Sequence, residues 1–128
     1  ILIGVNDYWH MLHHGYKGTF ETYENDYRNL LKRTKDALPD VKLIICQPFA
    51  IPGTTAVDES WVEPFGKYQA SAKKLALEFN AFWVPFQEGF DKAMLDAPAS
   101  YWIPDGVHPS ISGSQLMADE WLKTIQST

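Results

Sequence analysis

The 128-residue chain carries 11 basic and 16 acidic side chains, a net charge of −5, with 45% hydrophobic and 14% aromatic residues. That balance excludes a general attraction to nucleic acid or anionic lipid, and the apolar content suits one packed domain over 1–128. No apolar run approaches the roughly 20 residues that cross a bilayer, and a single cysteine, Cys46, excludes an internal disulfide.

The chain reads as soluble, with compartment and export left open. It begins at Ile1, without an initiator methionine, on "ILIGV", an apolar run that reads as the second half of a strand already under way. The expectation is a partial domain whose first strands are missing. "NDYWHMLHHGYKG" reads as a loop rich in aromatics, histidine and glycine. Thr19 suits a helix cap, with Glu21 favourable in the first turn. Tyr23, Tyr27, Leu30, Leu31 and Leu38 then recur at helical spacing until Pro39 stops the helix.

"VKLIICQPF" (41–49) is a nearly continuous apolar run suited to a strand covered on both faces, and it leads into a long loop. A second helix turns Phe65, Tyr68, Ala72, Leu75, Ala76 and Phe79 to one side and closes at Asn80. "AFWVPF" (81–86) is a third short strand, and "QEGFDKAML" a short helix with Phe90 and Met94 inward. A last helix carries Leu116, Met117, Trp121, Leu122 and Ile125 as its buried stripe. Alternating strands and helices predict a parallel sheet with right-handed crossovers, a three-layer α/β/α sandwich whose ligand crevice lies beyond the carboxyl ends of the strands.

Within "DGVHPS" (105–110), Asp105 stands three residues before His108, with Gly106 to turn the chain. A carboxylate so placed can accept the Nδ1 proton and leave Nε2 as a base; an ordinary turn preceding a helix is the alternative. Asn6, at the end of "ILIGVN", offers a fixed amide N–H for a developing oxyanion, or simply an Asx turn. Tyr8 and Trp9 follow directly and are the aromatics expected to touch substrate, ahead of Trp61, Tyr101 and Trp102. His10, His13 and His14 have helical ligand spacing, but Gly15 and Gly18 favour a loop and no carboxylate or cysteine completes a set, so no metal site is assigned.

"IGVND" and "DGVHPSISG", in this order and separation, resemble two sequence blocks of the SGNH (GDSL-type) hydrolases, and the likeness extends over nearly the whole chain to small bacterial members. The resemblance implies a flavodoxin-like α/β/α fold, no cofactor, and hydrolysis of carboxylic esters through a serine nucleophile. It also implies His108 as general base, Asp105 as its orienting carboxylate, Asn6 as an oxyanion donor and Gly4 as the shaper of the turn before it. No "GDS" nucleophile block occurs here, and none of Ser60, Ser71, Ser100, Ser110, Ser112, Ser114 and Ser127 has the strand-to-helix context of the family serine.

The expectation is therefore the C-terminal part of an esterase, inactive alone, and in its complete form acting on short acyl groups, with acetyl esters on carbohydrate implied by the family. A non-catalytic carbohydrate-binding or assembly module on the same scaffold is the alternative, and a phosphate-binding flavodoxin-like domain ranks below both. The Ile1–Val5 strand would be left as a raw edge, open to self-association or to a complementary N-terminal segment.

Overall fold

The computed structural model describes residues 1–127. Six helices, α1 (Val5–His13), α2 (Phe20–Ala37), α3 (Val62–Glu78), α4 (Phe86–Ala93), α5 (Ala99–Trp102) and α6 (Ile111–Gln126), alternate in part with two strands, β1 (Ile44–Cys46) and β2 (Phe82–Val84). The strands are parallel, with Ile44 opposite Phe82, Ile45 opposite Trp83 and Cys46 opposite Val84. Both expected strands are present in shortened form, ended by Pro48 and Pro85, whose missing N–H groups cannot extend a ladder.

The opening strand is a correction. "ILIGV" does not form one: the helix α1 already begins at Val5. Gly4 adopts φ 136°, turning the chain where an added Cβ would stand 3.1 Å from the Tyr23 hydroxyl and 3.2 Å from Pro48. Such a turn at such a contact is available only to glycine. Ile1 alone keeps a strand-like role. Its N donates to the Ile44 carbonyl at 2.6 Å, and its carbonyl accepts from Cys46 N at 2.9 Å. Leu43 and Gln47 bond to β2, so Ile1 lies on the opposite edge of β1.

The expected loop over 6–18 is a second correction. Residues 5–13 are helical, and Gly15, at φ 67°, lies beyond the end, where glycine commonly follows a helix. α2 starts at Thr19, whose side chain accepts from Thr22 N while Thr22 reaches back to the Thr19 N–H. Asn80, at φ 50°, closes the turn after α3.

Strand residues alternate between two cores. Leu43 and Ile45 join Tyr23, Tyr27, Leu31, Phe65, Tyr68 and Leu75 beneath α2 and α3. Cys46 and Val84 join Phe49, Ile51, Phe86, Phe90 and Ile103 on the other face, beneath α4, α5 and α6. This is the three-layer sandwich predicted by the alternation. A fully buried Leu31 or Phe90 contributes roughly 1.5–3 kcal/mol relative to leaving it exposed. The α6 stripe is less covered than its spacing predicts: Leu116, Met117 and Ile125 are half-buried, while Trp121 and Leu122 are exposed. Leu30 in α2 and Leu38 just past its end are likewise exposed. Periodicity marks the apolar face of a helix but not how much sheet lies beneath it. No helix among the described residues is long and apolar enough to cross a membrane.

Candidate active site

The segment 103–110 is a chain of turns held from both sides. Gly106 N donates to the Ile103 carbonyl at 3.0 Å, and Ser110 caps α6 by accepting from Gly113 N at 3.1 Å while donating to the Tyr101 carbonyl at 2.7 Å. The loop after β1 braces the other side, through Ile51 N to Gly106 O at 2.9 Å and Ala56 N to Asp105 O at 3.1 Å. Gly106 has φ 96°, and an added Cβ would collide with Thr54 Oγ1, stand 2.6 Å from Val57 Cγ2 and 2.8 Å from the Ile51 carbonyl.

This bracing aims two side chains at each other. Asp105 Oδ1 accepts from Val107 N at 2.9 Å and His108 N at 2.7 Å, and Oδ2 lies 2.6 Å from His108 Nδ1. Burial pushes the Asp105 carboxyl up, but the hydrogen bonds from the His108 ring and the two backbone amides outweigh it and hold the group below its ordinary value. An ionised carboxylate only accepts, so the bond requires a proton on Nδ1, and in the neutral ring the lone pair is then on Nε2. The His108 side chain is 76% exposed, and Nε2 has no hydrogen bond among the described residues.

Helix α1 brings the other predicted residues toward this rim in unequal ways. The half-buried Trp9 ring lies 6.2 Å from the His108 ring and 6.0 Å from that of Trp61. Asn6 is exposed in the first turn of α1, on the face it shares with Trp9 three residues on. Tyr8 faces elsewhere. It is 4% exposed in the core, edge-on to Trp61 at 5.0 Å, because a step of one residue turns a helix by about 100°. Its ring edge lines a separate groove with Met11, Tyr16 and Phe20.

Serines are occupied elsewhere: Ser60 bonds Asp58, buried Ser71 donates to Glu24 at 2.9 Å between α3 and α2, and Ser110 caps α6. No serine is hydrogen-bonded to His108 among the described residues. The His10 and His14 rings meet edge-on at 5.1 Å, yet no three potential metal ligands come together among the described residues. Sequence reasoning missed the bracing by residues 51–57, although Pro52-Gly53 and the paired threonines 54 and 55 mark a tight, hydrogen-bonding turn there.

A parallel sheet between helical layers, with an Asp–His pair at its rim, is the layout of an α/β/α hydrolase. The sequence model of the GDSL-like lipase/acylhydrolase family matches residues 1–116, and the chain belongs to that family. A crystal structure from Parabacteroides merdae, described as that of a GDSL-like lipase, is 55% identical with a TM-score of 0.95, over 97% of this chain and 57% of that one. An acetylxylan esterase of Geobacillus stearothermophilus is 30% identical over 130 residues, covering 98% of this chain and 57% of the esterase. A crystal structure of an acetylxylan esterase from that organism matches with a TM-score of 0.83 at 26% identity, over 98% of this chain and 57% of that one. The chain thus spans little more than half the length of these relatives.

Proposed function

We propose that this chain supplies the acid–base half of a serine esterase, whose nucleophile comes from a segment outside these residues. The 2.6 Å contact between Asp105 Oδ2 and His108 Nδ1 carries the reading. It holds the ring by its Nδ1–H, with Nε2 outward and a fixed carboxylate behind, the arrangement a hydroxyl nucleophile needs. In the reaction, His108 Nε2 takes the serine proton as the oxygen attacks the ester carbonyl, then gives it to the departing alcohol. Water then attacks the acyl-enzyme, with Nε2 again accepting a proton. Asp105 orients the ring and stabilises the imidazolium. Asn6, beside the positive end of α1, donates to the carbonyl oxygen as it gains charge.

The substrates are esters of short acyl groups, acetyl esters on carbohydrate first. The similarity to acetylxylan esterase supports this choice, as does a rim that offers Trp9 beside an open imidazole. The backbone edge outside Ile1, with Ile1, Leu2 and Ile3 each about 40% exposed, takes a complementary strand or a second copy. The test is to label the full polypeptide with a fluorophosphonate and locate the modified residue. One labelled serine outside these 128 residues, with loss of p-nitrophenyl acetate turnover, is expected. Labelling of Ser60 or Ser71, or turnover that survives full labelling, would contradict the proposal.

A further inference from the structure

A cavity of ≈ 250 Å³ lies beyond the carboxyl ends of β1 and β2, between Pro52 in the loop after β1, Trp61 and Val62 at the start of α3, Gln69 two turns further along it, and Gln87 and Asp91 of α4. It is smaller than the roughly 300 Å³ at which drug-sized sites begin, a volume suited to one ring. Its polar groups can be followed bond by bond. Gln87 Oε1 accepts from Ala50 N at 3.1 Å and from Gln69 Nε2 at 3.0 Å, so it is filled. Gln69 Nε2 also donates to the Pro48 carbonyl at 2.9 Å, and Gln87 Nε2 donates to Asp91 Oδ1 at 3.0 Å.

What remains is Gln69 Oε1, Asp91 Oδ2 and one N–H of Gln87, none of them hydrogen-bonded among the described residues. These two acceptors and one donor belong to side chains that line the cavity together with Ala50, Pro52, Trp61, Val62 and Phe65. The complementary ligand is compact, carries several hydroxyl donors and has apolar C–H faces; the Asp91 carboxylate disfavours an anion. Two rings link the cavity to the candidate active site: Trp61 lines it and its ring lies 6.0 Å from that of Trp9, which lies 6.2 Å from that of His108.

We infer that this cavity is a carbohydrate subsite, holding the sugar ring next to the one that bears the ester, with hydroxyls donating to Gln69 Oε1 and Asp91. The inference rests on the esterase reading for its role but not for the binding itself. Asp91 is exposed and Val62 is 55% exposed at the first position of α3, so both positions accept substitution without loss of the fold.

The full polypeptide would be titrated with methyl β-D-xylopyranoside while the Trp61 indole and the Gln69 and Gln87 carboxamide resonances are followed by NMR. Saturable shifts at these groups are expected, with affinity weakened about tenfold in Asp91→Ala, which removes a charge-assisted hydrogen bond, and abolished in Val62→Trp, which fills the cavity. In kinetics, KM for an acetylated xylobiose should rise in both variants, more in Val62→Trp than in Asp91→Ala, and by more than any change in p-nitrophenyl acetate turnover. Absence of shifts at these groups, or binding equal to wild type in both variants, would overturn the inference while leaving the esterase reading standing. Sugar binding here with no hydrolysis of either ester would sink the esterase reading and leave the subsite.

Discussion

Asp105 accepts three hydrogen bonds from a segment of four residues, two from backbone and one from the His108 ring. The backbone pair fixes the carboxylate before the imidazole arrives, so the ring's orientation does not depend on its own packing, which is slight for a side chain 76% exposed. Asp105→Asn can present either an oxygen or an NH₂ to Nδ1. If the amide turns its NH₂ to the ring, it forces the proton onto Nε2, the wrong tautomer for a base. The expected result is a loss of about 10⁴-fold in kcat with little change in KM. An unchanged kcat would separate Asp105 from the chemistry. Trp9 packs against the same ring, so Trp9→Ala should loosen His108 and change the ring-current shifts of its carbon-bound protons in NMR spectra.

At the scale of elements, the turn that carries the pair is only as firm as the loop that braces it. Gly106 sits at φ 96° against Val57 and the Ile51 carbonyl, so Gly106→Ala combines a disfavoured backbone with overpacking, a cost of roughly 2–4 kcal/mol. Urea unfolding should show that loss, and a variant as stable as wild type would mean that the brace yields freely. The α2–α3 contact is electrostatic as well as apolar. Glu24 meets Lys74 at 2.6 Å and Arg28 at 2.8 Å and accepts from Ser71, and the bond from Lys74, against the opposing effect of burial, heads the influences that bring its carboxyl down to about 2. A carboxylate depressed on folding stabilises fully above its unfolded value of 4.5 and loses that contribution as pH falls toward 2. Glu24→Gln should therefore lower the thermal midpoint at pH 7 and narrow its difference from wild type near pH 2. A difference unchanged between the two pH values would count against this network.

At the scale of the molecule, the alternation of apolar runs carried the sandwich, and the cap at Thr19, the stop at Pro39 and the turn at Asn80 were all visible as residues. The Asp105 and His108 pairing was legible as a spacing and a glycine. Helix α1 was not legible, because its start depends on Gly4 meeting Tyr23 and Pro48, a contact made across the fold rather than along the chain. Tyr8 is buried where Trp9 is only half-buried, because adjacent positions on an unrecognised helix point to different surroundings. The brace from 51–57 lay in what read as loop, and its partner is fifty residues away. The edge outside Ile1 predicts concentration-dependent association of these 128 residues, to be checked by size-exclusion chromatography with mass detection. A well-folded monomer at all concentrations would contradict it.

The role proposed for His108, base of an ester hydrolase, is tested by turnover of p-nitrophenyl acetate by the full polypeptide and its His108→Ala variant, with folding verified by circular dichroism. A fall of at least roughly 10³-fold in kcat with the fold intact is predicted. Undiminished turnover in a correctly folded variant would remove His108 from the chemistry.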